Sequence, residues 1–379
     1  MANIAKRPDG RWRARYRDSA GREHSRHFKR KVDAQRWLDE VTTAVTTGMY
    51  VDPGRSRITV GEWSGRWLKT KVDLKPSTRA RYEDLLRVNV LPRWGEIRLA
   101  DVTHEGVAAW IADLTASGLS AATVRQAHRV LSLTFSLAVR DGRLARNPAD
   151  HIPLPRAAKH EKVFLTVDQV EQLADAAGEY RLVILFLAYT GLRFGELSAL
   201  RVRRLDLMRG RTEIVEAVAE VGGRAVFSTP KSHQVRSVPI PRFLVDELAQ
   251  HVAGQNPDDF VFTSPRGGLL RLQNFRHTVF DRAAHTTGLD RFTPHGLRHT
   301  AASLAITSGA DVKVVQEMLG HASATMTLDL YGHLYGDRLD EVADRMDALR
   351  TAHGLSADFL RTEPQLIMFP ELDRDAAAQ

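Results

Sequence analysis

Cysteine is absent from the 379 residues. That excludes disulfides and thiolate metal sites, and it fits a reducing cytoplasm. No early apolar run reads as a signal peptide, and none is long enough to cross a bilayer. A soluble cytoplasmic protein is expected. Carboxylates nowhere cluster as a metal site would need. Lysine is scarce, ten residues against 44 arginines. A GC-rich genome would explain the bias, and it makes each surviving lysine easier to weigh. Internal repeats and low-complexity stretches are missing too. What remains is a chain with 43% hydrophobic residues, enough to build cores in two or three domains.

The formal net charge of +8 sits at one end. Residues 1–31 carry eleven Lys/Arg and three Asp/Glu, and the other 43 basic and 43 acidic residues cancel. An excess held in one arm suits a segment that touches a polyanion. Within it Arg11, Arg13, Arg15 and Arg17 alternate with Trp12, Ala14 and Tyr16, the period of a half-buried strand. Asp18 to Gly21 is turn chemistry, and a second strand runs through Phe28. Residues 33–47 read as a helix with Trp37, Val41, Ala44 and Val45 on one face and Gly48 as its stop. Residues 1–55 are thus a small β-sheet plus helix. Its arginine face is either solvated and inert or, as we read it, a nucleic-acid contact.

Val51 to Ser56 is a linker, and 59–150 read as an all-helical domain. Trp63 and Trp67 lie one turn apart. Ser77 is placed to cap a helix bearing Tyr82, Leu85 and Leu86 that ends before Pro92. Thr103 caps the next, with Val107, Trp110, Ile111 and Leu114 inward. Ser120 caps a long one with the stripe Val124, Ala127, Leu131, Phe135 and Ala138. Gly142 and Asn147-Pro148 stop it. Lys75, Arg79, Arg81, Arg125 and Arg129 are candidates to face phosphate, although a solvated surface charge accounts for any one of them alone. Residues 151–162, with two prolines, Arg156, Lys159 and Lys162, form a second linker.

Residues 163–350 read as a mixed, mainly α domain with a small antiparallel sheet. Thr166 to Gln169 is a capping box. Arg181 to Thr190 is almost purely apolar and therefore a buried helix. Gly191 breaks it and Phe194 to Leu200 resumes, which leaves Arg193 at a helix junction. Thr212–Val215, Val226–Ser228 and Ser237–Ile240 are strands, with Lys231 on a turn among them. Pro241 opens a helix to 253, 259–264 is a short strand, and 271–287 is helical. Thr293-Pro294 opens a helix bearing His295, Arg298 and His299. Asp311 caps Val312 to Leu319, Gly320 ends it, and His321 follows. Thr325 to Tyr331 is a short helix. The tail, 351–379, is acidic and holds an apolar plug at Leu366–Phe369.

Two guanidiniums can grip the non-bridging oxygens of a phosphate with paired, charge-assisted hydrogen bonds. A tyrosine hydroxyl can act as a covalent nucleophile. With a free pKa near ~10, only about a thousandth of it is phenolate at pH 7, so it needs a cationic pocket. His295 and Arg298, three apart, share a helix face, as contact with one phosphate requires. His295 and His299 are four apart, but no Glu follows the first and no third ligand stands at a zinc spacing. His299 is a packing residue or a secondary candidate. Arg193 is either paired structurally with Glu196 or oriented by it towards phosphate. Tyr335 rivals Tyr331 as nucleophile.

Thr190-Gly191-Leu192-Arg193-Phe194-Gly195-Glu196-Leu197, His295-x-x-Arg298, Leu319-Gly320-His321 and a tyrosine ten residues later together resemble the tyrosine recombinase, or phage integrase, family. The resemblance implies an arm-binding domain at 1–55, a core-binding domain at 59–150 and a catalytic domain at 163–350. It implies a site-specific DNA recombinase in which Tyr331 attacks the scissile phosphate and leaves a 3′-phosphotyrosine. Arg193 and Arg298 would stabilise the transition state, His295 and His321 would assist, and Lys231 would protonate the leaving 5′ oxygen. No cofactor and no metal are implied. The implied partners are double-stranded DNA attachment sites, three further copies in a homotetramer, a DNA-bending host factor and a directionality factor. The tail would be exchanged with a neighbour or be disordered. A type IB topoisomerase-like nick-and-reseal enzyme and a catalytically inactive DNA-binding module are the alternatives.

Overall fold

Alternation in the basic arm does produce a sheet. In the computed structural model, which describes residues 2–17, 21–47, 55–156, 162–229, 235–335 and 339–352, β1 (Asn3–Lys6), β2 (Trp12–Arg17) and β3 (Glu23–Phe28) form an antiparallel sheet in that order. Trp12 pairs with Phe28, Arg13 with His27 and Arg15 with Ser25. Ala14 and Tyr16 point to the buried side and meet Ala34 and Leu38 of α1 (Lys31–Thr46). The expected face was Trp37, Val41, Ala44 and Val45. Trp37, Val41 and Val45 do pack against this core, around the more deeply buried Ala34 and Leu38. β1 was not anticipated, since four residues carry too little alternation to read.

Contacts divide the chain into two units, residues 1–162 with Val218–Ser228, and residues 163–217 with 229–379. The first unit also holds a helical core. α2 (Val60–Lys69) is capped by Thr59, whose hydroxyl accepts from the Glu62 N–H at 3.1 Å. Trp63 and Trp67 are buried, and the Trp63 indole N–H donates to the Thr134 carbonyl at 3.0 Å. α3 (Pro76–Leu85) starts one residue before Ser77, with Lys75 as its cap residue. Proline fits a first turn because no backbone donor is needed there, so the serine is not the cap. Nor does the helix stop before Pro92. A π turn over Leu86–Val90 carries the chain into α4 (Leu91–Trp94) and places the proline in a first turn again. Thr103 and Ser120 cap α5 (His104–Ala116) and α6 (Ala121–Arg140) as expected.

The second unit begins with α7 (Val167–Ala176), whose Thr166–Gln169 capping box is complete. α8 (Arg181–Thr190) packs between α7 and α13 (Pro294–Thr307) and is buried along most of its length. After α9 (Phe194–Ser198), β4 (Leu205–Asp206), β5 (Arg211–Ile214) and β8 (Arg236–Pro239) make one small sheet. The expected single sheet is in fact two. β6 (Ala217–Val221) and β7 (Arg224–Ser228), which from Val218 on group with the first unit, form a separate ribbon around Gly222-Gly223, both at positive φ. A two-residue loop of that kind pairs a strand with the one immediately before it. Val226–Ser228 is therefore paired with β6, and β5 pairs with β8.

α10 (Arg242–His251) has Pro241 as its cap rather than its first residue. Residues 259–264 form only isolated bridges, Arg201 to Phe260 and Thr263 to Leu269, rather than a strand. α11 (Leu272–Phe275) and α12 (Asp281–Thr286) are joined by a π turn. Asp311 caps α14 (Val312–Leu319), and Ser323 caps α15 (Ala324–Tyr331). α16 (Leu339–Ala352) follows. Among the described residues no helix is long and apolar enough to cross a membrane. The turn at 18–20, Gly48, the linker residues 51–54 and 157–161, Lys231 and the tail from 353 lie outside the described residues.

Candidate active site

Two helix ends place Arg298. It sits in the second turn of α13, where its Nη1 donates to the Gly191 carbonyl and its Nη2 to the Leu319 carbonyl, each at 2.6 Å. These carbonyls end α8 and α14, where the helix leaves partial negative charge that a cation satisfies. Gly191 can close α8 because it takes φ 64°, and a Cβ there would stand 2.6 Å from Leu319 Cδ2. Arg298 is only 3% exposed. Burial, then the charge of Arg193, lowers its guanidinium to about 9, with Glu196 opposing them. It is still a cation at neutral pH.

Arg193 precedes α9 at its cap position. Its backbone N–H donates to Glu196 Oε2 at 3.0 Å and its Nη1 to Oε1 at 2.9 Å. The Glu196 side chain is fully buried, while that of Arg193 is 25% exposed. The pairing weighed for Glu196 is thus present, and it constrains the direction of the Arg193 side chain. Sequence reasoning missed a third guanidinium, Arg236, the first residue of β8. Its Nη1 and Nη2 donate to Glu196 Oε1 and Oε2 at 3.1 and 2.6 Å, and its Nε donates to the Met318 carbonyl at 3.2 Å. The signal was present. Arg236 shares a strand face with buried Val238 and Ile240, where a cation is unexpected unless paired. Burial works to raise the Glu196 carboxyl, but hydrogen bonds and charge from Arg236, and then from Arg193, hold it below the usual range.

His321 follows Gly320, which closes α14 at φ 64°. The His321 N–H donates to the Gln316 carbonyl at 3.0 Å, and its Nδ1 meets the Thr327 hydroxyl at 3.0 Å. Burial, then the charges of Arg298 and Arg193, lowers this imidazole to about 4. It is neutral at pH 7.

Tyr331 is the last residue of α15 and has no exposed surface. It packs with Ala302, Ile306, Val315 and Leu319. Its hydroxyl meets His299 Nδ1 at 2.8 Å. Its ring lies parallel to that of His321, with centroids 6.3 Å apart and 4° between planes. Burial raises the phenol to about 12, and the Arg298 charge pulls the other way. His295 is exposed at the start of α13, its ring 5.0 Å from that of His299. The hydroxyl's neighbour is therefore His299, the secondary candidate.

Arg193, Arg298, His299, His321, Tyr331 and Glu196 thus gather from four segments into one cluster, together with Arg236. Their charges act on one another directly. Three guanidiniums against one carboxylate leave a positive site beside a phenol, able to take an anion and to lower the barrier for charge building on it. Lys231 lies outside the described residues. In the first unit Arg13 and Arg15 lie on one sheet face, sharing Glu23 at 3.5 and 3.7 Å, and Arg11 and Arg17 are exposed. Arg125 and Arg129 are exposed one turn apart on α6 beside a groove of about 430 Å³. Arg81 donates to the Gln126 side chain at 3.0 Å, and Lys75 is half-buried at the start of α3. Arg79 donates to the Leu68 and Lys71 carbonyls at 3.3 and 2.7 Å, closing the end of α2.

Comparison with known proteins gives three matches to family patterns. Residues 163–338 match the Phage integrase family, 2–47 the phage integrase N-terminal domain, and 59–115 the phage integrase N-terminal SAM-like domain. The chain is 30% identical over 362 residues to the putative prophage phiRv2 integrase of Mycobacterium tuberculosis, covering 90% of this chain and 93% of that one. It is 28% identical over 337 residues to the integrase of Mycobacterium phage FRAT1, covering 84% and 98%. Among solved structures, the Tn1549 transposon integrase (residues 82–397) in complex with a circular intermediate DNA superposes with a TM-score of 0.67 at 22% identity, over 77% of this chain and 99% of that one. A lambda integrase dimer bound to a core site superposes with a TM-score of 0.58 at 21% identity, over 89% and 95%.

Proposed function

The chain belongs to the phage integrase family of tyrosine recombinases and is a site-specific DNA recombinase, and from that premise we propose that Tyr331 is its nucleophile and Arg193, Arg298, His295, His321 and Lys231 its supporting set. The observation that supports this reading is the convergence of both arginines, His321 and the phenol on one buried cluster. Arg193 and Arg298 take the non-bridging oxygens of the scissile phosphate and hold the charge that grows there. The Tyr331 oxygen bonds to phosphorus and the bond to the 5′ oxygen breaks. Lys231 gives that oxygen its proton. The product is a 3′-phosphotyrosine and a free 5′-hydroxyl, and a 5′-hydroxyl from the partner strand reverses the step. The bond energy stays in the protein link, so no nucleotide is consumed.

In its pocket the phenol, at about 12, would cost about 7 kcal/mol to ionise at pH 7, from ~1.4 kcal/mol per pH unit. Arginine charge alone does not remove that cost, because Arg298 already acts on the phenol there. The hydroxyl has to leave the pocket to meet phosphate and to find a proton acceptor. His299 holds the hydroxyl at rest, and His295, exposed beside it, is the acceptor after the move.

Residues 1–55 serve as the arm-type DNA-binding domain, through Arg11, Arg13, Arg15 and Arg17. Residues 59–150 serve as the core-binding domain, with Lys75, Arg81, Arg125 and Arg129 towards phosphate, and 163–350 as the catalytic domain. Four protomers exchange strands through a Holliday junction at attachment sites of a phage or other mobile element in the bacterial cytoplasm. A DNA-bending host factor and a directionality factor complete the set of partners.

The test uses duplexes tiled across both junctions of the chromosomal element that carries the gene. Each is nicked so that the freed 5′ fragment diffuses away. A covalent protein–DNA adduct should accumulate with EDTA present, and two such duplexes should recombine when unnicked. Binding without any adduct would return the chain to a DNA-binding module. An adduct with relaxation but no strand exchange would favour the topoisomerase-like reading.

A further inference from the structure

We propose that Arg236 is a positioning residue for strand cleavage: by holding both oxygens of Glu196 and the Met318 carbonyl, it fixes Arg193 and the His321 loop around the same phosphate. This rests on the assignment of Arg193 and His321 to the phosphate site.

The argument starts from how one carboxylate is shared. Glu196 is fully buried and meets two guanidiniums. Arg236 takes both oxygens with its fork, while Arg193 reaches Oε1 through Nη1 alone and Oε2 through its backbone N–H. Nη2 and Nε of Arg193 stay outside that contact, on a side chain that keeps a quarter of its surface exposed. Fork-on-fork pairing is the strongest arrangement open to a carboxylate and a guanidinium. Without Arg236, Glu196 would turn both oxygens onto Arg193 and draw the guanidinium out of its reach to phosphate. Arg236 occupies the carboxylate, and so keeps Arg193 half-committed.

The same side chain reaches the third motif. Its Nε hydrogen bond to Met318 fixes the last turn of α14, and the next carbonyl, that of Leu319, holds Arg298. Gly320 lies directly over it. A Cβ at 320 would stand 2.9 Å from Arg236 Cδ and 3.1 Å from its Nε. The glycine before His321 is therefore needed for clearance as well as for its left-handed backbone. One guanidinium thus touches the carboxylate that aims Arg193, the helix end that anchors Arg298, and the turn that presents His321. A buried charge network is weak support for stability, since apolar replacements of such pairs are often neutral or better. The network's geometry is what a purely apolar core would not supply.

The experiment compares single-turnover adduct formation and DNA binding for the full-length chain on the nicked junction duplex, with Arg236→Lys as the principal variant. Lysine keeps the charge but carries its donors on one nitrogen, without the planar fork that reaches the carboxylate and the Met318 carbonyl from three nitrogens. Cleavage should fall about 10- to 100-fold, as when an orienting partner of a reacting group is lost, with the dissociation constant for DNA within about twofold of wild type. In a Glu196→Gln background the same change should cost less than about threefold more, because residues acting through one contact are not additive. Wild-type cleavage by Arg236→Lys would overturn the proposal. So would a parallel loss of DNA binding, or an equal fractional loss in both backgrounds. Failure of the wild-type chain to form any adduct would instead overturn the reading of Tyr331. Should Arg236→Lys fail to fold, the charge-removed pair Arg236→Met with Glu196→Met keeps the test open. It should fold and cleave slowly, and wild-type cleavage by that pair would also overturn the proposal.

Discussion

Lowering the pH from 7.5 to 5 should weaken the unit that holds His321, and His321→Gln should abolish much of that weakening. The imidazole lies at about 4 in the folded chain, pressed down first by burial and then by the charges of Arg298 and Arg193. In the unfolded chain it returns to about 6.5. A depressed folded value means that the stability is present above about 6.5 and is lost as the pH falls towards 4, because only the unfolded chain takes up the proton. Between those values the loss reaches about 2 kcal/mol at pH 5 and about 3.4 kcal/mol at its limit, from ~1.4 kcal/mol per pH unit. Tryptophan fluorescence would miss it, because all six tryptophans lie at or before Trp110, in the other unit. Far-UV circular dichroism under urea is the appropriate readout, with 13C-histidine NMR to follow the ring itself. The resonance missing from His321→Gln should titrate near 4. If that resonance titrates at 6.5 or above, or the variant loses as much stability on acidification as wild type, the electrostatic description of the site is wrong.

At the opposite end of the scale, Tyr331 is raised to about 12, so its contribution is present below pH 10 and is lost as the pH climbs through 12, by up to about 2.7 kcal/mol. Ultraviolet difference titration of wild type against Tyr331→Phe should show one phenol ionising near 12, and a midpoint near 10 would mean that the ring is not buried. Gly191→Ala should destabilise the second unit by about 1–3 kcal/mol through backbone strain and by forcing Leu319 away. Adduct formation should then fall further than DNA affinity, and an unchanged melting temperature would refute the close packing at that turn. Deleting residues 1–55 should spare binding to a short core duplex yet abolish integration, with the affinity of the full chain falling steeply with salt. Integration by the truncated chain would remove the arm from the account.

Much of the candidate site was legible because its chemistry would be carried by residue types at fixed spacing. Arg193, Arg298, His321 and Tyr331 could be named from motif order, and the caps at Thr103, Ser120, Thr166 and Asp311 from short-range hydrogen bonding. Non-local geometry was less visible. Ser77 loses the cap because Pro76 opens the helix with Lys75 at the cap position, and the π turn that carries the helix past Pro92 depends on packing rather than on any local signal. The sheet divides in two because Gly222-Gly223 pairs β7 with its immediate predecessor, a rule about turns that outweighed strand composition. Arg236 escaped notice because its partner lies 40 residues away in sequence. His299 looked like a packing residue, and only the fold shows that its ring meets the nucleophile candidate's hydroxyl.

The most direct measurement is to digest the protein–DNA adduct trapped on the nicked junction duplex and find by mass spectrometry which residue carries the nucleotide. A phosphodiester on Tyr331, with none formed by Tyr331→Phe, is the expected result. Nucleotide on Tyr335, or an adduct that persists in Tyr331→Phe, would contradict the assignment of the phenol buried beside Arg298.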